Sequence, residues 1–466
     1  MDAREVNLTL DFCLRVGELL LSSGAGAADV TATMRSLSRH LGLRGAEIDV
    51  TFINLSMQWQ ASPEEVPALA TRQVKLRAID YEHLTQVDHL IRAVLRDDVD
   101  LREARAELGR IVSGGHGRPR WAVTVGLAVM AAAVAMQLGG DIRVALLASI
   151  SAAAIDRLQL IMIRRRMPVF YQQVAGAGVA SLLAVGAAAL PIDVDVSSSI
   201  TANIIVLLAG ISFMGALQDA LSGFYITGSA RLLEALMATA GIIAGVSGGL
   251  GVAAAAGVAI PPVIPGASDL QSVGLTVLGA ALGAGAFAYS SYAPRRIIAP
   301  VAVIAGLATA MVVSVPDDVS RTWKVAVAAF FVGLVSYSVS GRMRVPPLIV
   351  VVSAVVPLLP GLSIYRGLTL LADESGRDTS EGLLAMFTAA SIAMALASGV
   401  ILGEYVAQPL KRPARRLEVR LAGPRLVGPV KPPKPRRERR ERRERERRDN
   451  HERRQRRPRA REESAS

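Results

Sequence analysis

Several polar and charged residues lie inside or at the ends of long apolar segments, where each costs free energy unless it has a role. Asp156 and Arg157 are adjacent within one such segment, and Gln218 and Asp219 end another. A buried carboxylate can bind an ammonium group or carry a proton, because burial raises its pKa. The candidates for a substrate or ion pathway in these segments are Asp156, Arg157, Gln173, Gln218, Asp219, Arg231 and Glu234. For Asp156 and Arg157, simple anchoring of a helix at the membrane edge remains the alternative.

Two prolines and a glycine interrupt another apolar segment, at Pro357, Pro360 and Gly361. Proline has no backbone N–H, so nearby carbonyl groups lose their helical donors. Inside a membrane such backbone is tolerated where it lines a cavity. Tyr365 and Arg366 follow, and a planar guanidinium suits a carboxylate. We expect this break to face Asp219 and to complete a binding pocket with it; a proline kink without a ligand is the alternative.

The sequence contains no recognisable catalytic set. No nucleophile–base arrangement, metal-ligand spacing or phosphate-binding loop stands out, and the histidines are scattered. His83 and His89 share a predicted helix but are six residues apart, the wrong interval for one helical face. We therefore expect no enzymatic activity, metal or cofactor, and we expect the histidines to be surface residues. A hydrolase with a membrane anchor would not need so many spans.

The elements that must position these residues are transmembrane helices. A helix needs about 20 mainly apolar residues to cross a hydrocarbon core of roughly 30 Å. The segments are rich in Ala, Gly and Val, which suits close contact between helices in lipid. The ten predicted spans are residues 121–138, 144–163, 169–190, 200–220, 230–259, 270–290, 297–315, 323–340, 346–371 and 382–406.

A small water-soluble α/β domain, residues 1–113, is predicted ahead of the first span. Four helices are predicted from apolar spacing, and residues 48–52 alternate like a strand that continues through residues 53–59 with a bulge. The other predicted domains are a first five-helix membrane half, 114–268, a second five-helix half, 269–410, and a basic tail, 411–466.

The two membrane halves resemble each other faintly. Residues 164–184 and 294–310 both carry basic residues, a proline and then a Gly/Ala-rich helix, and residues 204–223 align without gaps to 348–367. Five spans separate the copies, and an odd number of helices inverts the second copy relative to the first. We therefore predict two inverted five-helix halves; chance similarity between Ala/Gly-rich helices is the alternative.

Basic residues are concentrated in alternate loops, as in Arg164–Arg165–Arg166 and Arg295–Arg296, whereas residues 191–199 and 261–268 contain none. This bias predicts that both termini lie in the cytoplasm. The whole chain carries a formal net charge of +12, and residues 411–466 contain 23 Lys and Arg against nine Asp and Glu. The basicity therefore belongs to the tail, which we expect to be disordered or helical and to contact anionic lipid headgroups. No aromatic residues alternate with its arginines, so nucleic acid is not an expected partner.

Four segments of the chain resemble the bacterial threonine/serine exporters: residues 20–42, 154–176, 207–245 and 355–368, of which Gln218–Gly223 and Pro357–Arg366 are the most specific. The resemblance implies a cytoplasmic N-terminal domain fused to ten spans in the bacterial cell membrane. It also implies export of threonine and serine by an antiporter that is driven by the membrane potential or the proton gradient. Related split proteins are associated with succinate export.

Three functions follow as hypotheses. The first is a secondary exporter of threonine and serine, and a variant of it exports a small dicarboxylate such as succinate. The second is the anchored enzyme described above. The third is a membrane scaffold that recruits partners through the basic tail, which would leave Asp219 and the Pro–Gly break without a role. The expected partners are a small-molecule substrate and membrane lipids, and a homo-oligomer is compatible with the sequence.

Overall fold

The computed structural model describes residues 2–75, 77–188, 196–207, 210–255, 270–316, 318–360, 363–364, 367, 370 and 379–407. The N-terminal part consists of α1 (Ala3–Ser22), α2 (Ala27–His40), β1 (Glu47–Thr51), β2 (Asn54–Trp59), β3 (Ala68–Gln73), α3 (Tyr81–Leu95) and α4 (Leu101–Ser113). Aspartate side chains accept backbone N–H groups at the starts of α1, α3 and α4, which is the preferred chemistry for a helix N-cap.

The three strands form one antiparallel sheet in the order β1–β2–β3. The predicted strand with a bulge is therefore wrong, because the chain reverses at Phe52 and Ile53 and Thr51 pairs with Asn54. Phe52 adopts a positive φ of 53°, a conformation that usually calls for Gly or Asn. Its backbone N–H donates to the Thr227 hydroxyl at 3.0 Å, a contact from outside the hairpin that compensates for the unfavourable turn residue.

The membrane part begins after a short linker. It comprises α5 (Arg120–Gln137), α6 (Ile142–Arg164), α7 (Val169–Ala188), α8 (Val196–Leu207), α9 (Gly210–Leu221), α10 (Tyr225–Ala255), α11 (Leu270–Ser290), α12 (Arg295–Ser314), α13 (Arg321–Met343), α14 (Pro347–Val355) and α15 (Thr379–Ala407).

Nine spans in the described residues are long and apolar enough to cross a membrane, with α8 and α9 together forming the fourth, Ser198–Leu221. The predicted fold class, a mainly helical polytopic membrane protein with a small N-terminal α/β region, is confirmed. The predicted count of ten is not reached in the described residues. Of the ninth predicted span, 346–371, the described residues form the short helix α14, which ends at Val355, and a 3₁₀ turn at Val356–Leu358, where Pro357 interrupts the helical hydrogen bonds. Most of residues 361–371 lie outside the described residues. The basic tail lies outside the described residues.

Glycines bring the membrane helices into close contact in both halves. A Cβ on Gly241 or Gly245 of α10 would overlap backbone carbonyls of α7, and one on Gly399 or Gly403 of α15 would overlap carbonyls of α13. Counted within each predicted half, both contacts join the third helix to the fifth. The remaining neighbours also correspond, since α5, α6 and α8 pack together as α11, α12 and α14 do. This matching supports the predicted duplication, whose inversion stays a prediction.

The N-terminal region lies against one end of the membrane helices. The Tyr81 N–H donates to the Ser291 carbonyl at 3.0 Å, just after α11 ends, and the Phe52 contact reaches the first turn of α10. Further contacts join His89 to the Arg344 carbonyl and Arg118 to the carbonyls of Tyr289 and Ala293. The N-terminal region therefore contacts the start of α10 and the residues that follow α11 and α13, which all lie at the same end of the membrane part.

Candidate functional site

One polar cavity lies within the first membrane half, between α5, α6, α7 and α8, and is called here the inner cavity. Its volume is about 120 Å³. Its polar side chains are Asp156, Gln159, Gln173 and Asn203, and its apolar wall consists of Leu127, Ala152, Ile155, Val206 and Leu207. The structure thus brings together two of the sequence candidates, Asp156 and Gln173, and adds two residues that the sequence analysis did not select.

Asp156 is held by side chains of α5 and does not pair with its neighbour in sequence. Arg120 approaches one carboxylate oxygen at 2.5 Å, and the Thr124 hydroxyl donates to the other at 2.7 Å. Arg157 points to the exposed side and donates to the Thr124 hydroxyl at 2.9 Å. The Asp156 side chain is 6% exposed, whereas the side chain of its partner Arg120 is 37% exposed. Asp156 thus joins α6 to α5, and its part in a substrate or ion pathway stays a prediction.

Two amide oxygens of the inner cavity, on Gln173 and Asn203, are buried and have no hydrogen-bond partner among the described residues. The Asn203 amide nitrogen donates to the Ser199 carbonyl at 3.0 Å, which leaves its oxygen on the side without a donor. A buried acceptor without a donor costs about 1–3 kcal/mol. These two oxygens are suited to a ligand that brings its own donors, such as an ammonium or hydroxyl group.

A second cavity, called here the interface cavity, has a volume of about 140 Å³ and lies between the N-terminal region and the membrane helices. Its charged residues are Arg77, Arg231 and Glu234, and Ser22, Ser23 and Ser212 contribute hydroxyl groups. Arg77 and Glu234 form a long ion pair of 3.9 Å. Burial, and after it the neighbouring charge of Arg231, lower the pKa of Arg77 to about 10 against the opposing effect of Glu234 and Asp219, so a second anion near Arg77 would be stabilised.

Asp219 lies beside the interface cavity and uses both of its carboxylate oxygens. One accepts the backbone N–H of Ala27 at 2.9 Å, at the start of α2, and the other pairs with Arg231 at 2.5 Å. The aspartate is only 2% exposed, and the preceding Gln218 is half-buried. Of the sequence candidates, Asp219 and Arg231 thus form an ion pair, and Arg231 and Glu234 line the same cavity.

The predicted break in the second half is only partly described. The Pro360 carbonyl accepts the N–H of Ile364 at 3.0 Å, so one of its two lone pairs is already used. The turn containing Pro357 packs against α11 and α12. Gly361, Tyr365 and Arg366 lie outside the described residues, so the expected pocket between this break and Asp219 stays a prediction.

A group of three potential metal ligands, Asp80, His83 and His116, was not apparent from the sequence because His116 comes from the linker. Their ligand atoms lie within 4.8 Å of one another. His83 Nδ1 and His116 Nε2 approach the same Asp80 oxygen at 2.9 and 2.6 Å, which are hydrogen-bond distances. Burial opposes ionisation of Asp80, but these hydrogen bonds outweigh it and lower its pKa to about 2. Charge-assisted hydrogen bonds therefore account for the group.

Some residues of the two cavities could have been found in the sequence. Gln159 lies three residues after Asp156, hence on the same helical face, and Asn203 is a polar residue in a predicted span. Arg77 had no such signal, because its role depends on how the N-terminal region docks.

Comparison with known proteins agrees with the architecture. The family model described as "Putative threonine/serine exporter" matches residues 11–253, and the model "Threonine/Serine exporter, ThrE" matches residues 276–406. A "Probable threonine/serine exporter" of Mycobacterium tuberculosis (strain ATCC 25618 / H37Rv) is 34% identical over 91% of this chain and 81% of its own length. The "Threonine/serine exporter" of Corynebacterium glutamicum is 30% identical over 89% of this chain and 85% of its own length. No solved structure matches. On this evidence the chain, a multi-pass bacterial membrane protein, belongs to the threonine/serine exporter family.

Proposed function

We propose that this protein exports threonine and serine across the bacterial cell membrane and that the inner cavity is part of the route. The names of its relatives support the substrates. The observation that carries the route is the pair of unpartnered amide oxygens of Gln173 and Asn203. Both substrates carry an ammonium and a hydroxyl group, which are the donors that these oxygens lack. Membership of a transporter family fits a role without catalysis.

The driving force that we propose is the proton gradient. Asp156, Asp219 and Glu404 are buried carboxylates on membrane helices, and such groups can carry protons in transporters. Collapse of the gradient with a protonophore in cells loaded with threonine should stop export. Continued export at the original rate would instead point to another energy source.

The orientation that we propose has both termini in the cytoplasm, as the arginine bias predicts. Single cysteines can be introduced as Ser198→Cys and Ser464→Cys in a Cys13→Ser background. An impermeant thiol reagent applied to intact cells should leave the Ser464→Cys protein unlabelled. Labelling at that position would reject a cytoplasmic C-terminus.

Counterflow in proteoliposomes separates the substrate hypotheses. Vesicles preloaded with unlabelled threonine should accumulate radiolabelled threonine and serine, whereas labelled succinate should not enter. Exchange of succinate alone would favour the dicarboxylate alternative. A protein without any exchange at normal reconstitution would favour the scaffold.

A further inference from the structure

We propose that the interface cavity binds the zwitterionic head group of the exported amino acid, and that Arg77 of the N-terminal region receives its carboxylate. This inference rests on the proposed function and adds to it a second site with a part for the N-terminal region. The site would hold the substrate before it enters the membrane helices.

The cavity exists only where the N-terminal region and the membrane helices meet. The end of α1 and residues 77–81 form one side, and residues of α9, α10 and α14 form the other. Hydrogen bonds from Ala27 to Asp219 and from Phe52 to Thr227 hold the two sides together close by. A ligand in this cavity would therefore contact both parts of the protein.

Arg77 is the better of the two arginines for binding a carboxylate. Arg231 already has a close partner, since Asp219 lies 2.5 Å away. The ion pair of Arg77 with Glu234 is long, 3.9 Å, and its guanidinium lies 5.7 Å from the ring centre of Phe52. The ring and the surrounding burial orient the planar fork, whose parallel N–H groups suit a bidentate carboxylate.

The opposite charge is available for the ammonium group. It comes from Glu234, because the carbonyl groups at the end of α1, Ser22 included, already accept backbone N–H groups. Ser22, Ser23 and Gly24 line the cavity at that end, and the Glu234 carboxylate lies within the same cavity. A positive and a negative pole in one small cavity match an amino-acid head group.

Size and polarity restrict the side chain of the ligand. A volume of about 140 Å³ admits a small amino acid. Ile79, Leu348 and Val352 form an apolar wall suited to a methyl group, and Ser212 adds a hydroxyl. A dicarboxylate would fit the charges less well, because Glu234 would repel its second carboxylate.

The test uses the purified full-length protein and compares threonine with two analogues, each of which lacks one of its two charged groups. Competition against bound radiolabelled threonine is measured with unlabelled threonine, with threoninol, which lacks the carboxylate, and with 3-hydroxybutyrate, which lacks the ammonium. The parental protein should prefer threonine to threoninol at least tenfold. In Arg77→Ala the preference for threonine over threoninol should fall below threefold. In Glu234→Gln the preference for threonine over 3-hydroxybutyrate should likewise fall below threefold.

Each preference is a ratio within one variant, so it does not depend on yield or stability. Arg77→Lys, which keeps the charge but not the fork, should give an intermediate preference. The matched control is Arg102→Ala, an exposed arginine on α4 of the same region, which should keep the parental preference. If Arg77→Ala also keeps the parental preference for threonine over threoninol, the proposed interface site is wrong, but the proposed export of threonine is not affected. If the parental protein neither binds nor exchanges threonine, the proposed function fails, and this site fails with it.

Discussion

Asp219 accepts the backbone N–H of Ala27 at 2.9 Å, and so it acts as the N-cap side chain of a helix 192 residues away in the sequence. The residue in the N-cap position of α2 is Gly26, which has no side chain to do this. Because the other oxygen of Asp219 pairs with Arg231, one carboxylate connects the N-terminal region, the end of α9 and the charged wall of the interface cavity.

Replacement of this carboxylate by an amide, Asp219→Asn, should reduce threonine export at least tenfold while the protein remains in the membrane. The amide oxygen can still accept from Ala27, but Arg231 loses its buried counter-charge, at a cost of about 3–5 kcal/mol. Initial export rates normalised to membrane abundance measure the loss, and limited proteolysis reports whether the N-terminal region has undocked.

The matched control for this exchange is Asp141→Asn. Asp141 accepts the N–H of Val144 at the start of α6, on the exposed side, and Asn caps a helix about as well as Asp. That variant should export at the parental rate. If Asp219→Asn also exports at the parental rate between pH 6 and 8, Asp219 has no part in transport.

Gly26→Ala tests the same contact from the other side. A Cβ at this position would lie 3.2 Å from the Asp219 carboxylate oxygen, whereas φ at Gly26 is −72°, so the backbone itself tolerates alanine. We expect faster proteolysis of the N-terminal region and a several-fold lower export rate. Gly109→Ala in α4, where nothing lies within 4 Å, should be stabilising by about 0.5–1 kcal/mol and should not alter export.

Asn203→Leu tests the inner cavity. Leucine branches at the same position but is larger, and the inner cavity of about 120 Å³ beside it has room for the difference. Because the substitution also removes the unpartnered oxygen, the protein should be at least as stable as the parent. Export should nevertheless fall at least tenfold, because the substrate loses an acceptor. Ser181→Ala on α7 is the control, since that hydroxyl donates only one turn back to the Ala177 carbonyl. An Asn203→Leu protein with unchanged export and KM would remove the inner cavity from the route.

Much of this fold could be predicted from the sequence because twenty-residue apolar segments are a strong local signal. The spans at α5, α6, α11 and α13 lie within three residues of their predicted ends. The hairpin at Phe52 could not be recognised, since its turn lacks Gly or Asn and is supported by Thr227, which is distant in the sequence. Local patterns carry no information about such a contact.

For the two cavities as well, single residues could be predicted from the sequence, whereas contacts between distant segments could not. Asp156 and Gln173 are conspicuous because polar residues are rare in spans, and they do share a cavity. Their partners come from other helices, so neither the Arg120–Asp156 pair nor the Ala27–Asp219 contact follows from spacing along one helix. Arg77 lines the interface cavity only because the N-terminal region packs against the membrane helices, and no local sequence pattern predicts that packing.

The Asp80–His83 contact makes the stability of the start of α3 sensitive to pH. The hydrogen bond to Asp80 raises the pKa of His83 above 6.5, although burial opposes this. A raised pKa means that the stabilisation is complete below pH 6.5 and is lost as the pH rises through the folded-state value. The melting temperature should therefore fall by about 1–3 °C more between pH 6 and 8.5 in the parent than in His83→Gln. His89→Gln, which affects a contact to a backbone carbonyl, should behave like the parent. Equal pH dependence in the parent and His83→Gln would contradict this assignment.

Two glycines of α10 test whether close helix contact holds the membrane part together. A Cβ at Gly245 would overlap the Val174 carbonyl of α7, and backbone cannot move aside as a flexible side chain can. A Cβ at Gly248, one turn further along the same helix, meets nothing within 4 Å. Gly245→Ala should therefore abolish the monodisperse peak in fluorescence-detected size-exclusion chromatography, whereas Gly248→Ala should keep it and gain about 0.5–1 kcal/mol in helix propensity.

The second half offers an independent repeat of this test. Gly403 of α15 meets the Phe330 carbonyl of α13 as Gly245 meets α7, so Gly403→Ala should fail in the same way. Gly274 in α11 has open space around it, and Gly274→Ala should be tolerated. Loss of the monodisperse peak in both Gly245→Ala and Gly403→Ala would show that the contact between the third and fifth helices depends on glycine in each half. This result would support the predicted duplication of the two membrane halves. Normal folding of both Gly245→Ala and Gly403→Ala would mean that these helices lie further apart than the structure has them.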